Sequence, residues 1–313
     1  MNTVQQPATL VEAIRYYADQ EVCFKLLTSI RWPDGVICPR CASKNVHLLT
    51  TRQIWKCREK TCHKQFSIKV GTIFEDSPIK LDKWFCAIWM IVSAKNGVSS
   101  YEIHRSLGVM QKTAWFMMHR IRLALQRGSL DKLKREVEAD ETFIGGKARN
   151  MHFDKRQEKI KGGGPTGKAI VMGLLERHGK VRAQVVETRT GKDLKSMIRE
   201  NVERGSEVFT DQLKSYVGVD RNYVHRVINH AEQYVQGRIH TNSIENFWSL
   251  LKRGLSGTYI SVEPFHLFRY LDEQSFRFNA RKGTDAERFL TAVSTIGGRR
   301  LTYQHLIGHA GSC

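Results

Sequence analysis

Apolar positions along this chain repeat in two different ways, and the change falls near its middle. Between Ser77-Pro78 and Asn96-Gly97 lies an apolar stretch with readable ends, a serine and first-turn proline to start a helix and Asn-Gly to stop it. Ser99-x-x-Glu102 has capping-box spacing and opens a short helix to Leu107. Gly108-Val109 turns the chain, and a third helix begins near Gln111, with Ala114, Met118, Ile121 and Leu125 repeating at four, three and four residues. A helix, a glycine-containing turn and a second amphipathic helix are the parts of a helix-turn-helix. Gln111, Lys112 and Thr113 then stand at the N-terminus of the second helix, the end that reads base edges. A plain helical hairpin with no DNA role has the same pattern.

Residues 127–134 read as a linker, after which strands take over. Residues 136–144, 169–175 and 181–188 are predicted strands, the latter two meeting near Arg177-His178-Gly179. A helix over 192–204 leads to a further strand over 207–210, which ends at Asp211. Three strands, a crossover helix and a fourth strand form the opening of an RNase H-like α/β fold, a mixed sheet flanked by helices. The expected division is an N-terminal helix and cysteine-bearing segment over 1–75, the helix-turn-helix-like segment over 76–130, the α/β domain over 131–285 and a C-terminal tail over 286–313. An insertion over 147–168 carries seven Lys or Arg against two acids, together with Gly162-Gly163-Gly164-Pro165. It is expected to be a solvated loop that orders along a nucleic-acid backbone.

Four of the seven cysteines form Cys38-x2-Cys41 and Cys57-x4-Cys62, separated by fifteen residues. That order suits a zinc ribbon, in which two knuckles on a short β-hairpin each give two thiolates to a closed tetrahedral site. The second knuckle has the less regular spacing, and His47 or His63 is an alternative ligand there. Disulfides are the other use for paired cysteines, and a reducing cytosol disfavours them. Cys23, Cys86 and Cys313 fall outside the pattern as ordinary thiols.

Charge narrows the partner. Fifty Lys and Arg against 31 Asp and Glu leave a formal net charge of +19, a surface that gains affinity for phosphate backbones by releasing their counterions. No stretch reaches the roughly 18 apolar residues a spanning helix needs, and the N-terminus lacks the basic start and apolar middle of a secretory signal. The expected setting is the cytoplasm, with no membrane partner.

Against this basic background stand three acids, Asp140 in EVEADETFIGG, Asp211 in EVFTDQLKSY and Glu245 in HTNSIENFWSLLKRG. Only a folded sheet and a following helix bring them together, as a site for a divalent cation. Lys252 lies seven residues beyond Glu245, two turns along the same helical face. Each acid also has a structural use. Asp211 fits as cap of a short helix over 212–216, Glu245 closes a capping box with Asn242, and Glu138, Asp140 and Glu141 together fit a solvated edge. Trp248, beside the acids, is a core residue or a contact for a strand end.

VEADETFIGG, TDQLKSY and HTNSIENFWSLLKRGLSGTY together resemble the DDE transposases of bacterial insertion sequences that carry an N-terminal zinc ribbon. The resemblance runs from RWPDGVICPRC to about Asn279 and departs at none of the four positions Asp140, Asp211, Glu245 and Lys252. It implies that the three acids are catalytic ligands of Mg2+ (or Mn2+), that Lys252 accompanies them, and that zinc on Cys38, Cys41, Cys57 and Cys62 is structural. It implies binding of transposon ends and target DNA by a homo-oligomer, in a bacterial cytoplasm and on the nucleoid. The expected reaction is phosphodiester hydrolysis followed by transesterification, by a two-metal mechanism. Two other functions share these features, a DNA-binding regulator derived from an inactive transposase and a structure-specific RNase H-like nuclease that cuts without joining.

Overall fold

In the computed structural model the helices opening at Leu10, Gln20, Ser100, Asp285 and Tyr303 begin at side-chain caps, and the strands stop where charged or glycine-bearing turns interrupt them. Residues 6–126, 131–146, 151–159, 166–212, 214–219, 222–228 and 240–309 are described. They fall into two units, one of Met1–Arg127 with Ala280–Cys313 and the other of Gly128–Asn279.

The first unit opens with α1 (Leu10–Tyr17), which has a complete Thr9–Glu12 capping box, and α2 (Gln20–Arg31), capped by Asp19. An antiparallel sheet follows in the order β1 (Val46–Leu49), β2 (Ile54–Cys57), β3 (Gln65–Ser67). Its small core is aromatic: Trp55 stacks on Phe24 at 4.9 Å and on Phe66 at 5.8 Å, with Trp32 edge-on. Helix α3 (Leu81–Ser93) starts later than Ser77-Pro78 predicts. The Ser77 hydroxyl instead accepts from the Ile79 N–H and the Trp84 indole, holding a turn ahead of the helix. The capping box at Ser99 and Glu102 opens α4 (Ser100–Leu107), Gly108 closes it with φ of 60°, and α5 (Gln111–Leu125) follows. Helices α4 and α5 pack on each other and on α3, an arrangement open to both a helix-turn-helix and a plain helical hairpin.

The second unit is built on β4 (Glu136–Ile144). After it come α6 (Phe153–Lys159), β5 (Ala169–Glu176), β6 (Val181–Val186), α7 (Gly191–Asn201), β7 (Glu207–Asp211) and β8 (Val224–Ile228), then α8 (Asn242–Arg253) and α9 (Leu267–Asn279). Strand order is β6-β5-β4-β7-β8, antiparallel among the first three and parallel from β4 through β7 to β8. This mixed sheet flanked by helices is the RNase H-like arrangement. One face buries Val137, Ala139 and Leu174 with Leu194 and Ile198 of α7; the other buries Val171 and Leu175 with Ile244, Phe247 and Leu251 of α8.

Several expectations change. Strand β8 is additional; as an edge strand with Val224 and Val227 exposed, it lacks the alternation that marks a half-buried strand. Leu133, placed in the linker, is buried and bridges to Val202. The insertion holds helix α6, while Gly162 to Pro165 lie outside the described residues, as does Cys313. The described part of the expected tail, residues 286–309, is not set apart: α10 (Asp285–Ser294), opened by a Thr284–Glu287 capping box, and α11 (Tyr303–Leu306) belong to the first unit. Phe289 of α10 lies 4.9 Å from Tyr17, 5.4 Å from Phe85 and 5.4 Å from Trp89, ring to ring. Among the described residues no helix is long and apolar enough to cross a membrane.

Candidate metal and catalytic sites

Cys38, Cys41, Cys57 and Cys62 gather with all four sulfurs within 4.8 Å of one another, and neither His47 nor His63 joins them. Cys38 and Cys62 sulfurs are 3.8 Å apart, and those of Cys41 and Cys57 3.6 Å. Zinc–sulfur bonds of about 2.3 Å in a tetrahedron space the sulfurs by about 3.8 Å, so the cradle fits zinc. Burial works to raise the Cys38 thiol, but the Cys41 and Arg40 backbone N–H groups and neighbouring thiols outweigh it and bring it down to about 7. All four are free cysteines, and Cys23 and Cys86 are buried elsewhere in the unit.

The three acids stand on three elements of the second unit. Parallel pairing of β4 with β7 runs to Glu138 opposite Phe209. Two residues further on, Asp140 and Asp211 stand level on neighbouring strands, and alternation turns both toward the α8 face of the sheet. Burial is the main cause that raises the Asp140 carboxyl to about 6; Glu141 and Asp211 add to it, while hydrogen bonding from Trp248 opposes it. Glu245 is exposed on the first turn of α8 and accepts from the Thr241 hydroxyl at 3.2 Å. Lys252 is exposed in the last turn of the same helix.

Among the described residues, only the four cysteines form a group of three or more metal-binding side chains close enough to share an ion. Asp140 and Asp211 are near enough for Asp211 to act on the Asp140 carboxyl, and α8, which carries Glu245, packs on the same face of the sheet through Trp248. Carboxylate oxygens of this kind are the donors a hard divalent cation takes.

Structural uses proposed for these acids fare unevenly. Glu245 closes no capping box with Asn242, because Asn242 is the first residue of α8 and not its N-cap, and the N-cap Thr241 makes no side-chain cap. Nor are Glu138 and Glu141 a solvated edge, since both are buried. Trp248 is core, 4% exposed, and its indole N–H donates to Asp140 Oδ2 at 2.9 Å. The ring lies where a Cβ on Gly173, the β5 partner of Asp140, would meet it at 2.6 Å, so only glycine lets α8 sit this close. Sequence reasoning missed Arg177, Arg189 and Tyr216, whose partners lie 39 to 75 residues away.

At the N-terminus of α5, Lys112 is exposed with its ammonium 4.8 Å from the Tyr303 ring centre, and Gln111 donates its amide to the Ser100 hydroxyl at 2.8 Å. Thr113 is half-buried one residue on.

Fold and sites together define an RNase H-like α/β protein with an N-terminal cysteine ribbon. Comparison with known proteins makes the class specific: residues 132–279 match the ISXO2-like transposase domain, and residues 18–65 match the transposase zinc-ribbon domain. The chain belongs to the insertion-sequence transposases that carry an N-terminal zinc ribbon. It is 25% identical over 299 residues to a protein in transposable element ISH50 of Halobacterium salinarum, covering 90% of this chain and 98% of that one. A transposase-like protein of Haemophilus influenzae is 35% identical over 101 residues, 32% of this chain and 81% of its own.

Proposed function

We propose that this transposase binds the ends of its insertion sequence and catalyses metal-dependent cleavage and strand transfer, with Asp140, Asp211 and Glu245 holding Mg2+ or Mn2+. The observation that carries this reading is the parallel register of β4 with β7, which sets Asp140 level with Asp211 on the sheet face where Trp248 of α8 hydrogen-bonds Asp140. An acid kept in that setting gains most from a divalent cation. When bound, such ions activate the attacking oxygen and stabilise the leaving one in phosphodiester chemistry, commonly as a pair.

The chain's own groups divide the remaining work. Asp140 and Asp211 offer oxygens from neighbouring strands, and Glu245 offers a third from α8. Lys252, exposed two turns along α8, holds a phosphate beside the reacting bond. Gln111, Lys112 and Thr113 meet DNA from the N-terminus of α5, with exposed Lys112 as the charged contact. The basic segment 147–168 follows the backbone of the bound strand. Joining two ends to one target calls for a homo-oligomer on DNA, acting on the nucleoid in the cytoplasm.

Strand-transfer assays with end DNA and Mg2+ test this reading. Asp140→Asn, Asp211→Asn and Glu245→Gln are each expected to abolish cleavage and joining while end binding stays near wild type, because each removes ligand charge and leaves the DNA-binding surface. Joining at more than a small fraction of wild type in any one of them removes that residue from the site. Cleavage by the wild type without joining identifies a nuclease instead.

A further inference from the structure

The two acids that flank Asp140 are buried, and each is bound to a different part of the unit. Glu138 and Asp140 point to the α8 face of β4, and Glu141 to the opposite face. Glu138 Oε2 accepts the backbone N–H groups of Ser243 at 3.0 Å and Ile244 at 2.9 Å. These are second and third residues of α8, whose N–H groups have no partner within the helix, and a carboxylate is favoured there by the helix dipole. Its other oxygen accepts from Arg177 Nε at 2.9 Å, and Arg177 Nη2 donates to the His240 carbonyl at 2.6 Å. The guanidinium is itself seated over the Phe209 ring, 4.0 Å from its centre. Glu138 thus caps, from 105 and 106 residues away, the helix whose own N-cap Thr241 makes no side-chain cap.

Glu141 does the corresponding work on the other face. Its Oε2 accepts from the Tyr216 hydroxyl at 2.6 Å, and its Oε1 from Arg189 Nε at 3.0 Å and Nη2 at 2.7 Å. Ser215 donates to the Arg189 carbonyl at 2.6 Å, so the turn that begins three residues after Asp211 is tied to β4 twice.

From this geometry we infer that Glu138 and Glu141 are positioning residues that lock the strand of Asp140 to the helix of Glu245 and to the segment following Asp211. The inference rests on the three-acid reading above. Three acids from distant parts of the chain serve one cation only if their separations are held, and groups that orient metal ligands typically change affinity roughly 10–100-fold when removed. Breaking one side of a buried ion pair is also costly for folding, so the mildest variants are the informative ones. Arg177→Lys keeps the charge and loses the planar fork; Tyr216→Phe removes one hydroxyl.

The experiment measures Mn2+ affinity by titration calorimetry on the full chain, with amide hydrogen exchange at Ser243 and Ile244 and end-DNA binding alongside. Glu138→Gln and Arg177→Lys are expected to speed exchange at those two amides and weaken Mn2+ binding about tenfold or more, with end binding unchanged. Tyr216→Phe is expected to weaken Mn2+ binding while leaving both amides protected, a separation that general destabilisation does not produce. If Glu138→Gln does not fold, Arg177→Lys carries the Glu138 arm. Asp140→Asn is the control. Wild-type Mn2+ affinity in Arg177→Lys and Tyr216→Phe, with Asp140→Asn impaired, overturns the positioning role and leaves the three-acid site standing. Wild-type Mn2+ affinity in Asp140→Asn overturns the site itself and this inference with it.

Discussion

Asp140 is an acid that folding places at a disadvantage. Its carboxyl sits at about 6 against an ordinary 3.8, with burial the leading cause. An acid raised in the folded state binds its proton more tightly there than in the unfolded chain. The Asp140 contribution to stability is therefore most favourable below about pH 4 and is lost as pH rises from there through 6, by on the order of 3 kcal/mol at most. Asp140→Asn should raise the thermal midpoint at pH 7.5 without added divalent cation and give no gain at pH 4. Melting curves at the two pH values check this, and identical midpoints at pH 7.5 would show that the carboxyl carries no strain. The same substitution is expected to abolish joining, so stability and function pull against each other at one side chain.

At the scale of elements, two parts of the fold rely on partners supplied from elsewhere. The ribbon strands are three or four residues long and bury only Trp55, Cys57 and Phe66 of their own, so a metal held by the four thiolates would supply what the core lacks. Cys38→Ser or Cys57→Ser should release zinc, loosen the Trp32–Trp55 pair and lose end binding. Elemental analysis with tryptophan fluorescence reads both changes, and pure, folded wild type without zinc would contradict the assignment. Helix α8 depends instead on Glu138 for its first turn and on Gly173 for its close approach to the sheet. Neither dependence is a property of α8 itself.

At the scale of the whole molecule, the chain leaves the first unit at Arg127, builds the second and returns at Ala280. The returning α10 is part of the first unit's core, through Phe289 against Tyr17, Phe85 and Trp89. Phe289→Ala should cost that unit about 3–5 kcal/mol, the usual loss for a buried phenylalanine. Denaturant unfolding followed by the fluorescence of buried Trp84 and Trp89 measures it. A loss under about 0.5 kcal/mol, the range of surface changes, would return residues 286–313 to the status of a tail.

Local signals written within a few residues were legible in the sequence alone. The Ser99–Glu102 capping box, the Gly108 turn, the face from Ala114 to Leu125 and the cysteine spacing each need only neighbours to act, and each appears as read. So does the strand–helix–strand order, because periodicity reports which face an element buries. Tertiary structure alone decided what depends on distant partners. Edge strand β8 has no inward stripe to betray it, α10 shows its role only when Phe289 meets rings more than 190 residues away, and Ser77 gave up its expected capping role to the Trp84 indole. The run Glu138, Asp140, Glu141 is the clearest case. Its letters show three acids and an alternation of faces, but which acid meets Arg177, which meets Tyr216 and which stays raised beside Asp211 is set by partners 39 to 105 positions along the chain.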